Sequence, residues 1–325
     1  MADVVQIVVT PGSGEGRARA TARRLQRALG RRGYAAHLRT FAGIEPLLEW
    51  SATCAPEFSY LVAVGGDATL SAAAAAAVRL SVPFVPVPSG FGNMFAQAFG
   101  FAADTRRVIE LFERAQVRRV DVGVYPGERI FLSHRSYGLL EDIQRAVERG
   151  RAQPKSRLLR HFAYYVTAKR FILTAPLPRI RVEVDGVLLA EEAALVTVAN
   201  VETYRGFLSL TPTASPIDGL FDVFVIPCTA KVGAWTCIFK ILLALPGRWD
   251  GVMLSRGRRV RVTVKGCAPE DLEVRRRALP LLVLPESLED LKVRQAEAEV
   301  ASALDGPAVP PLVTEPRVAE RRPPS

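Results

Sequence analysis

The stretch from Leu61 to Ala77 constrains this chain most. Leu61-Val62-Ala63-Val64 is an apolar run, Gly65-Gly66-Asp67-Ala68-Thr69 breaks it, and a long alanine run follows. Four apolar residues ending in a glycine pair predict a buried strand entering a tight turn, and the alanines predict a helix behind it. In such a strand–loop–helix unit, glycines let backbone N–H groups approach an anion closely, and the helix N-terminus adds partial positive charge. Asp67 adds the opposite character. A carboxylate beside a phosphate site is either a helix cap or a means of holding Mg²⁺ against that phosphate.

The flanking sequence reads in the same way. Val4 to Val9 is a continuous apolar run, as in a parallel strand covered on both faces, followed by Thr10-Pro11-Gly12-Ser13-Gly14-Glu15-Gly16 and a helical pattern from Arg17 to Leu29. No Gly-Lys-Ser/Thr follows, so this is not a Walker A loop; it is either an ordinary turn or a phosphate loop using the hydroxyls of Thr10 and Ser13 beside Gly14. Ala35 to Thr40 and Phe84 to Val87 read as further strands, Gly43 to Ala52 as a helix, and Pro88-Ser89-Gly90-Phe91-Gly92-Asn93 as a loop leading into a helix from Met94. Alternation through about Glu113 predicts an open α/β sheet with ligands at the C-terminal ends of its strands.

Beyond Val117 short strands dominate: Val120–Val124, Arg129–Ser133, Ile180–Val184, Val187–Ala190, Ala194–Ala199, Leu220–Ile226 and Val260–Val264. Asp185-Gly186 is a strong hairpin signal. Helical stretches are expected over 158–173 and 233–245, and this half reads as mostly antiparallel β. From about Ala296 the composition shifts to Ala, Pro, Glu and Arg, which predicts a disordered tail.

The four cysteines show no C-x-x-C pair, which argues against a zinc site or disulfide framework and suits a reducing cytoplasm. No signal peptide is expected, and Trp235 to Leu245 carries Lys240 and is too short to span a bilayer. The net charge of +10 suits an anionic partner. Arginines 17, 19, 23, 24, 27, 31 and 32 fall on the first helix, either as a solvated face or as a peripheral contact with anionic membrane. Nucleic acid is not expected, since no basic stretch is interleaved with aromatics.

Five segments in order resemble the diacylglycerol kinase catalytic-domain family of bacterial lipid kinases and sphingosine kinases, a superfamily shared with NAD kinases. Gly65-Gly66-Asp67-Ala68-Thr69 is similar to its Gly-Gly-Asp-Gly-Thr loop, and Pro88-Ser89-Gly90-Phe91-Gly92-Asn93-Met94-Phe95-Ala96 to its Pro-x-Gly-Thr-x-Asn-Asp-x-Ala. Val120-Asp121-Val122-Gly123 resembles the first strand of its second domain. Asn200, Gly206, Pro212-Thr213-Ala214 and Asp218-Gly219-Leu220-Phe221-Asp222 resemble its later motifs. The likeness runs from Val4 to about Pro285, and the absence of the Asn-Glu substrate pair of NAD kinases favours the lipid branch.

The resemblance implies an α/β plus β fold: a Rossmann-like, three-layer α/β nucleotide domain (1–118), a β-sandwich substrate domain (119–285) and a C-terminal segment (286–325). ATP and a membrane lipid would meet in the cleft. Gly65, Gly66 and Thr69 would contact phosphates, with Ser89, Gly90 and Asn93 bordering the nucleotide. Asp67 would join the Mg²⁺ network with Asp121 nearby, and Asp218 falls where some members bind a structural Mg²⁺. The departures are specific. Ala68 replaces a glycine, at about 1–2 kcal/mol if that position needs positive φ, and Phe91 and Met94 replace a threonine and an aspartate. Val264-Lys265-Gly266-Cys267 replaces the Asp-Gly-Glu that would supply the base, leaving Glu270 or Asp271 as substitutes; Asp305-Gly306 is a coincidence in the tail. Two functions follow: an ATP- and Mg²⁺-dependent lipid kinase acting on diacylglycerol or a sphingoid-type lipid at the cytoplasmic membrane face, or a degenerate relative that binds nucleotide or lipid without transfer. Oligomeric state stays open, a homodimer included.

Overall fold

The computed structural model describes residues 3–10, 17–89, 92–138, 178–202, 204–205, 208–227 and 252–304. In the first half, β1 (Val4–Val9), α1 (Arg17–Gly30), β2 (Ala35–Thr40), α2 (Ile44–Thr53), β3 (Tyr60–Gly65), α3 (Asp67–Leu80) and β4 (Phe84–Pro88) alternate, followed by α4 (Met94–Ala98) and α5 (Thr105–Arg114). All four strands are parallel in the order β4-β3-β1-β2, with Val9 opposite both Thr40 and Val64. The chain thus leaves β1 to one side for β2 and to the other for β3. That reversal opens a crevice at the C-terminal ends of β1 and β3, the place where open α/β sheets bind ligands.

Periodicity explains how the helices cover this sheet. Ala18, Ala22, Leu25, Ala28 and Leu29 form the buried stripe of α1, and its arginines point outward. With α5 it covers one face, packing on Ile7, Val9, Val62 and Val64. On the other face α2 and α3 pack together, and Ala73, Ala74, Ala76 and Ala77 are wholly buried, their small side chains allowing close approach. Ala68 is the second residue of α3 and is not among the positive-φ positions. The methyl penalty considered for it therefore does not arise.

The second half is antiparallel: β5 (Gln116–Tyr125), β6 (Arg129–Phe131), β7 (His134–Gly138), β8 (Ile180–Val184), β9 (Val187–Ala199), the two-residue pair β10 (Tyr204–Arg205) and β11 (Leu208–Ser209), β12 (Phe221–Pro227), β13 (Met253–Gly257), β14 (Arg259–Val264) and β15 (Glu270–Val283). Asp185 and Gly186 both take positive φ, 49° and 81°, and close the β8–β9 hairpin as expected. The Asp185 carboxylate also accepts from the N–H groups of Arg258 and Arg259. Two strands expected over 187–199 are one: the exposed Glu191-Glu192 pair falls where the register of β9 shifts rather than at a turn. The strand expected over 129–133 ends at Phe131, and β13 and β15 appear where the sequence reading places none.

β15 joins the two halves. It pairs antiparallel with β14 and β5, then meets β4 in parallel at Leu281–Phe84, so one hydrogen-bonded sheet runs through both. A final helix, α6 (Pro285–Leu304), continues past Ala296, where the tail was expected to begin. Leu291 packs into the core and Arg294 donates to the carbonyl of Ala98 at 2.6 Å, contacts that anchor the helix against α4. The helices expected over 158–173 and 233–245, and Asp305-Gly306, lie outside the described residues.

Candidate functional site at the sheet switch point

The crevice is built by two loops. Ser89 N–H donates to the Gly65 carbonyl at 2.9 Å, tying the end of β4 to the end of β3. Thr10 at the end of β1 and Thr69 in the first turn of α3 share a hydroxyl–hydroxyl hydrogen bond of 2.6 Å across the switch point. Both threonines are buried, at 4% and 2% exposure, and their bond braces the floor of the crevice. Gly65 is required sterically as well: a Cβ there would sit 2.4 Å from the Thr69 side chain. Gly66 caps α3 in an extended conformation. Ser13, Gly14 and Gly90 lie outside the described residues.

Asp67 is the first residue of α3, but its side chain serves the neighbouring helix. Its Oδ2 accepts from the Asn93 N–H at 2.9 Å, at the N-terminus of α4. Burial pushes its pKa up, against the lowering effect of backbone N–H groups of Asn93, Met94, Asp67 itself and Phe95. Oδ1 is buried and has no hydrogen-bond partner among the described residues, and the same holds for Ser89 Oγ. Asn93 takes a left-handed conformation (φ 49°) and is 5% exposed, so its backbone reaches Asp67 directly. Gly92, quoted within the loop but not singled out, matters here as well. Its φ is +108°, and a Cβ would come within 3.4 Å of Asp67 Oδ2.

The two other acidic candidates are held by the chain itself. Asp121 on β5 is 1% exposed and accepts from Gly219 N–H and Arg277 N–H, each at 2.7 Å, one to each carboxylate oxygen. Both oxygens thus bind the chain itself, and the residue ties β5 to the Gly219 loop and to β15. Asp218, expected at a structural Mg²⁺, has its Oδ2 bonded to Arg256, and its Oδ1 accepts from Leu220 N–H at 2.9 Å. Arg256 Nε also donates to the buried Asp222 at 2.9 Å, so one guanidinium bridges both carboxylates. Among the described residues no group of three or more His, Cys, Asp or Glu is arranged to hold a metal.

Burial drives the Asp218 pKa up to about 6 from an ordinary 3.8, with the Leu220 N–H and Arg256 opposing it and Asp222 and Asp121 adding to it. The folded state holds this proton more tightly than the unfolded chain does. Its contribution therefore favours the fold below about pH 4 and is lost as pH rises through about 6. Carboxyl-carbon NMR is expected to show this midpoint near 6; a midpoint at or below 4 would mean that the Arg256 contact outweighs burial.

Glu270, the substitute base, is also committed elsewhere. It accepts from Arg135 Nη2 at 3.0 Å and Tyr137 Oη at 2.8 Å, and Arg135 stacks over Tyr125 with its guanidinium carbon 4.0 Å from the ring centre. It begins β15, seven positions along that strand from Arg277, which meets Asp121. Asp271 pairs with Arg261 at 2.7 Å. Neither carboxylate is at the switch point.

Against known proteins, residues 4–125 match the diacylglycerol kinase catalytic domain and residues 141–288 match the YegS C-terminal NAD kinase beta sandwich-like domain. A diacylglycerol kinase of Bacillus subtilis (strain 168) is 26% identical over 214 residues, 64% of this chain and 68% of the relative. A diacylglycerol kinase of Staphylococcus saprophyticus is 27% identical over 173 residues, and that match spans 54% of the relative's length. A solved diacylglycerol kinase from Bacillus anthracis str. Sterne has a similar fold, with a TM-score of 0.62 at 17% identity over 88% of this chain and 98% of that one. The two matches run in sequence over the α/β half and the sandwich half, and the chain belongs to the diacylglycerol kinase catalytic-domain family of the NAD kinase-like superfamily.

Proposed function

We propose that this chain is a lipid kinase that transfers the γ-phosphoryl group of ATP, with Mg²⁺, to a hydroxyl of diacylglycerol or a sphingoid-type lipid. The observation that carries this reading is Asp67: a carboxylate at the switch point with one oxygen held by a backbone N–H and the other buried and unbonded among the described residues. An oxygen of that kind fits Mg²⁺, which takes hard oxygen ligands, keeps several waters and commonly needs one protein carboxylate beside substrate phosphates. When bound, the ion neutralises charge developing on the transferred phosphoryl group. The chain's own part is positional. The turn after β3 lets backbone N–H groups approach the phosphates, Asp67 fixes the ion's side of them, and Asn93 N–H holds Asp67.

The test is transfer of labelled phosphate from ATP to short-chain diacylglycerol and to sphingosine in detergent micelles, with and without Mg²⁺. Product from either alcohol supports the reading. Saturable ATP binding with no product from any acceptor would select the degenerate alternative, in which the Lys265 and Cys267 substitutions ended catalysis.

Among the described residues no helix is long and apolar enough to cross a membrane, so we assign access to lipid to surface attraction. Arg19, Arg23 and Arg27 lie on one exposed face of α1, which has no acidic residue. At roughly 1 kcal/mol per basic residue near an anionic surface, replacing all three by glutamine is expected to weaken binding to phosphatidylserine vesicles about 100-fold. Cosedimentation checks this, and wild-type binding is expected to vanish in half-molar salt as the charges are screened. A triple variant that sediments like wild type would mark the face as merely solvated.

A further inference from the structure

The transfer reaction needs a proton acceptor, and neither the Lys265–Cys267 turn nor Glu270 offers one near Asp67. A cleft of about 430 Å³ lies between α4, the segments on either side of the β10–β11 pair, and α6. Met94 and Gln97 form one wall, Glu202 and Ser215 a second, and Leu291 and Arg294 a third. α4 is the wall shared with the switch point. Its N-terminus meets Asp67, its side chains line the cleft, and its five residues span only about 7.5 Å of helix.

Two polar groups of this cleft are unmatched among the described residues. Ser215 is 1% exposed, and its Oγ is buried with no hydrogen-bond partner among the described residues. Glu202 makes no hydrogen bond or ion pair with the described residues. The backbone leading to it is fixed, because the Asn200 side-chain amide donates to the carbonyls of Asp121 and Leu132 at 3.1 and 2.9 Å. Arg294, the other charged lining residue, donates to the carbonyls of Ala98 and Asp290 instead. A buried hydroxyl, and a carboxylate with no partner among the described residues, beside Met94 and Leu291 match an alcohol carried on an apolar chain.

We propose that Glu202 is the general base of this kinase, with Ser215 positioning the acceptor hydroxyl beside it; the proposal rests on the lipid-kinase reading above. The hydroxyl oxygen forms its bond to the γ-phosphorus as its proton passes to the Glu202 carboxylate. The bond from that phosphorus to the β–γ bridging oxygen breaks, and its electron pair leaves on ADP.

Glu202→Gln is expected to lower kcat about 10²–10⁴-fold, to leave ATP affinity within about twofold of wild type, and to remove the acid limb of the kcat–pH profile. Glu202→Asp, which keeps a shorter carboxylate, is expected to recover at least about tenfold over Gln. The assay uses the full chain with ATP, Mg²⁺ and micellar diacylglycerol or sphingosine. Turnover by Glu202→Gln within about threefold of wild type overturns the proposal, as does an equal loss of ATP affinity or a collapse caused by Glu270→Gln instead. If Glu202→Gln does not fold, the Asp variant decides: a displaced acid limb supports the proposal and an unmoved one overturns it. A wild-type protein that transfers no phosphate to either alcohol removes the kinase reading and this proposal together, whereas an active wild type with an equally active Glu202→Gln removes this proposal alone.

Discussion

Asp67→Asn is expected to cut phosphoryl transfer by about 10³-fold or more while leaving the fold nearly as stable as wild type. The two consequences separate because the two carboxylate oxygens do different things. Oδ2 accepts from the Asn93 N–H and ties the α4 end to α3, and an asparagine oxygen can accept that bond equally well. Oδ1 is the buried oxygen without a partner among the described residues, and an amide there no longer supplies the charge that Mg²⁺ requires. Asp67→Ala removes both functions. It is expected to match the asparagine variant in activity and to lose a further 1–2 kcal/mol or so of stability, the usual scale for a deleted cap. Turnover with ATP and a lipid alcohol, set against urea midpoints for the three proteins, resolves the pair. Should Asp67→Asn keep turnover within tenfold of wild type, the residue is a helix tie and nothing more.

The part of the site near Asp67 is legible in the sequence because it is local. Apolar run, glycine pair and alanine helix occur within seventeen residues, and each carries its own conformational preference. Parallel order then follows from alternation, and the crevice follows from order. What local pattern does not show is why each glycine is there. Gly65 makes room for the Thr69 side chain one helical turn on, and Gly92 supplies a backbone φ of +108° beside Asp67, requirements that periodicity does not register.

Asp121, Asp218 and Glu270 have surroundings that the sequence does not show, for one physical reason. Their partners are remote in sequence: Arg256 for Asp218, Arg277 for Asp121, Arg135 for Glu270. In each case a guanidinium or a backbone N–H occupies the carboxylate. The chain's arginine content, visible from the outset as a charge of +10, thus acts inside the second domain as well as on its surface. Glu202 was missed because it belongs to no quoted motif. Its only signal was its place two residues after Asn200, just past the end of β9.

Asp121→Ala is expected to destabilise the protein by about 3 kcal/mol and to lower its melting temperature by roughly 5 °C. The carboxylate joins three segments far apart in the chain: β5, the loop at Gly219 and the irregular stretch of β15 at Arg277. Alanine leaves the buried Gly219 N–H without an acceptor, at about 1–3 kcal/mol, and the half-buried Arg277 N–H at less. Arg277 itself has φ +48°, a conformation that costs a non-glycine residue about 1–2 kcal/mol and that the bond to Asp121 helps to hold. Asparagine does not rescue this, because its amide has one acceptor oxygen for two N–H donors, so Asp121→Asn is expected to fall close to the alanine variant. A Mg²⁺ role for Asp121 makes the opposite forecast. It requires wild-type melting to drop when EDTA is added, whereas a carboxylate bonded to backbone on both oxygens requires melting to be insensitive to EDTA and sensitive to either substitution. The two measurements together distinguish a tie that shapes the cleft from an acid that works in it.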